Sequence, residues 1–166
     1  ADPGFDLIYG RTGSVFVARD NGPDARALVG GLAGAIDAAT VAVIFPEGRL
    51  FRPDALQRAL ARLAETNPER AGRLDGLRQV LPPRPDGVLA LLDALPGTDG
   101  VVMAHTGLDR FASFTELARA VPLGDPVVVT AWRIAAADVP ADPLDRITWL
   151  DDQWLRVDAW CSSPSG

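Results

Sequence analysis

An unbroken apolar run at residues 41–45 is followed by a proline and then a glycine, and it constrains the fold more than any other stretch. Such a run is typical of a strand that is buried on both faces. Pro46 has no N–H to donate to the hydrogen-bond ladder of a sheet, so the strand should end there. Gly48 permits a positive φ or a close backbone approach. Glu47 and Arg49 would then lie at the carboxyl end of a strand, where open α/β sheets bind ligands. The alternative is an ordinary strand and turn with a solvated Glu and Arg.

The rest of the chain alternates between strand-type and helix-type segments. Short β-branched runs bounded by breaker residues indicate strands, and longer Ala- and Leu-rich stretches with apolar residues at i, i+3 and i+4 indicate helices. This alternation predicts an α/β domain, a mixed sheet flanked by helices. The predicted strands cover residues 14–19, 41–45, 101–105 and 127–134, and the predicted helices cover residues 24–37, 54–65, 87–95, 111–121 and 143–160.

The length of the chain predicts a single domain over residues 1–166, large enough to bury roughly two-thirds of its unfolded surface. No apolar run approaches the ~18 residues of a membrane span, and no signal peptide or polybasic tract is evident. Cys161 is the only cysteine, which excludes an internal disulfide and suits a cytosolic setting. Because the chain begins with Ala rather than Met, we expect a fragment or a processed product, incomplete at its N-terminus.

The net charge of −6 is unevenly distributed. Residues 49–84 hold eight Arg against four carboxylates, a balance of +4 that leaves −10 for the remainder. A basic segment directly after Glu47 and Gly48 could attract an anionic substrate, although these Arg side chains could equally cover solvated helix faces. The acidic net charge and the lack of a base-stacking motif argue against a nucleic-acid partner. Residues 143–161 hold four Asp against two Arg, an acidic balance that anionic lipid would repel. We therefore expect a helix that closes the sheet and not a helix that lies on a lipid surface.

His105 is the only histidine, so a metal site with several His ligands is excluded, and no metal is expected. The chain has neither a Gly-x-Ser-x-Gly elbow nor a phosphate loop that ends in Gly-Lys-Ser or Gly-Lys-Thr. His105 and Asp109 have a spacing that suits a base with its orienting acid. Because no nucleophile is evident nearby, a packing or hydrogen-bonding role for His105 is favoured.

Phe-Pro-Glu-Gly at residues 45–48 resembles the Phe-Pro-Glu-Gly-Thr-Arg block of the glycerolipid acyltransferase family, which includes 1-acylglycerol-3-phosphate acyltransferases. Gly13, the apolar run after it and Arg19 resemble the preceding block of that family, in the right order and at a fitting distance. Further segments resemble a bacterial branch of lysophospholipid acyltransferases, so that the resemblance covers nearly all of the chain. These segments are residues 80–84, 104–107, 131–133 and 149–154.

Two features depart from the family pattern. The family has a catalytic His-x-x-x-x-Asp block upstream of the block that matches Gly13, and only 12 residues precede Gly13 here. The resemblance therefore implies no catalytic residue in this chain and a catalytic His upstream of it, and the chain as given should show no acyltransferase turnover. The spacing and order of His105 and Asp109 do not match that block. The family's Thr-Arg aligns with Arg49 and Leu50, so the Arg has moved by one place or been lost.

The resemblance implies transfer of a fatty acyl group from a coenzyme A or acyl carrier protein thioester to a lysophosphatidic acid-type acceptor, in phospholipid biosynthesis. The thioester is a co-substrate, and no cofactor is implied. Peripheral contact with the cytoplasmic side of the cell membrane, or a cytoplasmic location, is expected. Arg19 and Arg49 would bind the acceptor phosphate, with a structural ion pair between Arg19 and Glu47 as the alternative. The implied substrate-binding residues are Arg19, Phe45, Pro46, Glu47, Gly48 and Arg49.

Two other functions remain open. The first is a module that binds lipid phosphate head groups without catalysis. The second is an unrelated α/β hydrolase-like domain, which is less favoured because the sequence offers no nucleophile.

Overall fold

The computed structural model describes residues 41–108, 110, 111 and 114–163, except for the side chain of Phe114. The predicted strand at residues 14–19, the predicted helix at residues 24–37 and Arg19 lie outside the described residues. The chain divides into two compact units, one made of Ala1–Ile44 and Asp86–Pro96 and the other of Phe45–Pro85 and Gly97–Gly166.

The described residues contain both helices and a β sheet, as predicted. The helices are α1 (Pro53–Thr66), α2 (Pro68–Leu74), α3 (Pro85–Ala94), α4 (Phe114–Arg119) and α5 (Pro143–Ser162), with a 3-10 turn at Ala136–Asp138, and the strands are β1 (Gly100–Thr106) and β2 (Val128–Ile134). The helices predicted at residues 54–65, 87–95 and 143–160 and the strands predicted at residues 101–105 and 127–134 are confirmed within a few residues. The helix predicted at residues 111–121 is shorter, and α2 was not predicted.

Among the described residues, four of the five helices begin with a proline, which suits the first helical position because the N–H that proline lacks would be unpaired there. The side chain of Asn67 caps α2 by accepting the N–H of Arg70. Asp142 caps α5 by accepting the N–H groups of Leu144 and Asp145. Local sequence therefore accounts for where these helices start.

β1 and β2 form an antiparallel pair in which Gly100 lies opposite Ile134 and Thr106 lies opposite Val128. One face of the pair, which includes Ala104, packs into the core of the second unit. Side chains that alternate with these point to the other face and are exposed. The antiparallel pairing differs from the parallel βαβ arrangement that places ligand sites at strand carboxyl ends.

The core of the second unit is built around Leu74 and Leu77, which are fully buried. Ala55 and Leu56 of α1 pack into the same cluster, and so does Val157 of α5. Leu60 and Leu63 lie alongside, so the apolar face of α1 is the face that is packed. None of the helices in the described part of the chain is both long and apolar enough to cross a membrane.

The prediction that residues 41–45 form a strand buried on both faces is wrong. The structure places these residues in irregular backbone. Val41, Val43 and Phe45 are 83%, 72% and 72% exposed, whereas the side chains between them are half-buried. Alternate side chains of an extended segment point to opposite sides. The run is therefore covered on one side only, which its apolar composition could not reveal.

Candidate functional site

The residues after the apolar run form a tight turn. The N–H of Gly48 donates to the carbonyl oxygen of Phe45 at 3.1 Å, and Gly48 has φ of 66°, in the left-handed region. Pro46 occupies the second position of this turn, where its restricted φ is favoured. Residue types with fixed local preferences thus produce the turn that presents the Glu47 side chain.

A proline-rich segment anchors this turn through two backbone N–H groups. The N–H of Leu81 donates to Oε2 of Glu47 at 3.0 Å, and the N–H of Arg84 donates to the carbonyl oxygen of Pro46 at 2.9 Å. Residues 82 and 83 between them are prolines and have no N–H to donate. Both backbone donors in residues 81–84 therefore bind the turn, one at the side chain of Glu47 and the other at the carbonyl oxygen of Pro46.

The surroundings of Glu47 raise the pKa of its carboxyl above the ordinary value. Burial raises the pKa of the Glu47 carboxyl above its ordinary value, whereas the Leu81 N–H and the Trp154 indole lower it, and the negative charge of Asp158 raises it further. Nε1 of Trp154 is buried, and within the described part of the chain no acceptor satisfies hydrogen-bond distance and angle to it. Its effect on Glu47 is therefore that of a nearby donor rather than of a formed hydrogen bond.

Two guanidinium groups belong to this region. The Arg84 side chain passes over Gly48 so closely that a Cβ added at Gly48 would lie 3.6 Å from Cδ and Nε of Arg84. Arg49 follows the turn directly and is exposed. The next cation along the chain, Arg52, is paired with Asp54 at 3.2 Å. Arg49 and Arg84 thus lie next to the turn, Arg49 along the chain and Arg84 over Gly48.

The predicted site residues are brought together only in part. Residues 45–49 stay contiguous around the turn, but the turn does not follow a strand. The expectation that it lies at a strand carboxyl end is therefore wrong. Whether Arg19 lies beside Glu47 stays a prediction, because Arg19 is outside the described residues. The side chain of His105 is exposed on β1, which does not fit a packing role, and Asp109 is also outside the described residues.

Sequence reasoning missed Arg84, Trp154 and Asp158 as neighbours of the turn. Arg84 and Trp154 belong to the downstream segments on which the family resemblance depends, and that was the available signal. Asp158 had no such signal, because a single Asp on an amphipathic helix is ordinarily solvated. In the part of the chain that the structure describes, no group of three or more His, Cys, Asp or Glu side chains is arranged to hold a metal ion.

Comparisons with protein-family models, curated proteins and solved structures found no match to this chain. The family resemblance therefore rests on the sequence motifs.

Proposed function

We propose that this chain carries the acceptor-binding part of an acyltransferase. The enzyme would move a fatty acyl group from a coenzyme A or acyl carrier protein thioester to a lysophosphatidic acid-type acceptor. The observation that supports this proposal is the anchored turn, which holds a half-buried carboxyl, Glu47, directly before Gly48, and the Arg84 side chain passes over Gly48. An acceptor of this class carries a phosphate and a hydroxyl, and the turn offers a complementary group for each.

The phosphate is assigned to Arg49 and Arg84. An Arg–phosphate contact is charge-assisted and can be bidentate. Ionised Glu47 has no proton to donate to a phosphate, so it is assigned to the acceptor hydroxyl. Oε2 accepts the N–H of Leu81 at 3.0 Å. Oε1 is the atom that would accept the hydroxyl hydrogen bond.

The base that removes the hydroxyl proton is assigned to the His-x-x-x-x-Asp block that the resemblance places before Gly13. General-base assistance of this kind contributes about 10²–10⁴-fold to the rate. In this proposal the chain binds and orients the acceptor, and the enzyme acts at the cytoplasmic side of the membrane, where its lipid substrates partition.

Binding measurements test the acceptor site. Glycerol 3-phosphate and a short-chain lysophosphatidate, below its micelle-forming concentration, are titrated into the protein by calorimetry. Arg84→Ala is expected to weaken lysophosphatidate binding by about 10- to 150-fold, the equivalent of one charged hydrogen bond. Arg84→Lys should recover only part of the loss, because Lys cannot form the bidentate contact. The same loss is expected for Arg19→Ala.

Arg62→Ala is the matched control, since Arg62 is an exposed Arg on α1. Its effect on affinity should stay within about twofold, as expected for an exposed side chain outside the site. Equal losses for Arg84→Ala and Arg62→Ala would show non-specific attraction to a basic segment instead of a site. An absence of saturable binding to both ligands would refute the proposal.

A non-catalytic module that binds lipid phosphate head groups is the second candidate. It is favoured by the anchored turn, which places Arg84 over Gly48 and needs no base to bind a phosphate. The two candidates are separated by assaying the full-length protein for thiol release from an acyl thioester. Release that requires lysophosphatidate and is lost in Glu47→Ala supports the enzyme. Saturable binding without release supports the module.

A further inference from the structure

Four consecutive backbone N–H groups, those of residues 78–81, are shared between two carboxylates. Oδ1 of Asp158 accepts the N–H groups of Arg78 at 2.8 Å, Gln79 at 2.6 Å and Val80 at 3.2 Å. The fourth N–H, that of Leu81, donates to Oε2 of Glu47. The Leu81 N–H, which orients Glu47, therefore directly follows the three N–H groups that donate to Asp158.

Asp158 is buried on α5, and no ion pair involving it occurs among the described residues. A buried carboxylate is unfavourable unless hydrogen bonds replace its lost hydration. Three N–H donors on one oxygen supply that replacement and at the same time fix three successive peptide units. Removing Asp158 would leave these three donors without their acceptor, including the N–H of the buried Val80, so the segment would shift to find other partners.

A second side chain of α5, that of Trp154, also acts on the Glu47 carboxyl. Trp154 precedes Asp158 by four residues, so both side chains lie on one face of α5. Trp154 influences the Glu47 carboxyl directly, and Asp158 acts on it both through its negative charge and through the hydrogen bonds of residues 78–81. α5 is thus the rigid element against which the position of the Glu47 side chain is set.

We propose that Asp158 is a positioning residue of the acceptor site: it fixes residues 78–81 so that the Leu81 N–H holds Oε2 of Glu47 and leaves Oε1 for the acceptor hydroxyl. This inference rests on the proposed function for its ligand. The geometric part, that Asp158 controls the hydrogen bond between Leu81 and Glu47, does not depend on the ligand. An ordinary loop anchor would stabilise the fold without being coupled to Glu47.

The geometric part is tested by nuclear magnetic resonance of the Leu81 amide. Glu47→Gln is expected to shift the Leu81 amide signal, because Leu81 donates to that side chain. In an Asp158→Ala background the same change at Glu47 should no longer shift it. Asp152→Ala is the control, since Asp152 is an exposed carboxylate on the same helix, and it should preserve the response. A Leu81 response that survives in Asp158→Ala overturns the proposal.

The functional part is tested by a double-mutant cycle on lysophosphatidate affinity. Asp158→Ala and Glu47→Gln should each weaken binding by at least about threefold, and the double variant should be no weaker than the more affected single variant, because both act on one contact. Fully additive losses, or a lowered melting temperature with unchanged affinity, overturn the positioning role.

Asp158→Asn keeps the acceptor oxygen without the charge, so it should cause a smaller loss, and it replaces Asp158→Ala in both tests if the latter does not fold. A wild-type protein that fails to bind lysophosphatidate refutes the proposed function. The Leu81 measurement would still decide whether Asp158 positions Glu47.

Discussion

Arg70 on α2 and Asp151 on α5 form a buried ion pair with two parallel contacts. Nε of Arg70 lies 2.9 Å from Oδ2 of Asp151, and Nη2 lies 2.7 Å from Oδ1. Nη2 also donates to the carbonyl oxygen of Pro83 at 2.7 Å. Arg73 adds a second cation, 3.1 Å from Oδ2. The pair therefore ties α2, α5 and the proline-rich segment that anchors the Glu47 turn.

Asp151→Ala is expected to destabilise the protein strongly. The side chain of Arg70 is 9% exposed, so the substitution leaves its guanidinium as a buried charge without its carboxylate. Breaking a buried pair in this way costs about 3–5 kcal/mol in the free energy of unfolding. Urea denaturation measures it, with Asp152→Ala as the exposed control that should stay within about 0.5 kcal/mol of wild type. A loss for Asp151→Ala as small as that of the control would contradict the importance of the pair.

Glu47→Gln should change how stability depends on pH. The pKa of Glu47 is raised above its ordinary value of 4.5, so the folded state holds the proton more tightly than the unfolded state does. The resulting contribution to stability is fully present below pH 4.5 and is lost as the pH rises through the folded-state pKa.

Gln keeps an oxygen for the Leu81 N–H but does not ionise. Relative to wild type, Glu47→Gln should therefore gain stability as the pH rises from 4 towards 8. The free energy of unfolding of both proteins, measured by urea titration across that range, checks this prediction. A constant difference between the two proteins at every pH would show that Glu47 titrates alike in the folded and unfolded states.

Gly48→Ala and Gly72→Ala should have opposite effects on stability. Gly48 has φ of 66°, where a residue with a Cβ is less stable by roughly 1–2 kcal/mol. The added Cβ would meet Arg84 at ordinary contact distance, so the cost comes from backbone conformation and not from a clash. Gly72 lies inside α2 with open space around it, and Ala there should stabilise by about 0.4–1 kcal/mol. Thermal denaturation of the two variants tests the contrast, and changes of the same sign would refute it.

Leu77→Ala should open a cavity in the core of the second unit. Leu77 is fully buried, and truncation of such a residue costs about 2–5 kcal/mol in the free energy of unfolding. Leu144 is 74% exposed at the start of α5, so Leu144→Ala serves as the control and should change stability by less than about 0.5 kcal/mol. Similar losses for the two Leu substitutions, compared by chemical denaturation, would place Leu77 outside the core.

The sequence determined the features that depend on neighbours along the chain. Prolines at residues 53, 85 and 143 mark helix starts, because a proline at the first helical position sacrifices no hydrogen bond. Pro46 and Gly48 have the backbone preferences that the turn around Glu47 requires. The apolar face of α1 was likewise predictable, since its spacing alone decides which side chains share a side of the helix.

Which distant segments meet depends on tertiary packing. The apolar run at residues 41–45 predicts burial, but its exposure depends on what packs against each of its sides. Glu47 and Leu81 are 34 residues apart, and Asp158 is 78 residues from Val80, which it binds. Periodicity and turn preferences act over a few residues and carry no information about such partners. A long-range contact forms only when the packing of whole elements offsets the entropy of closing the chain between them.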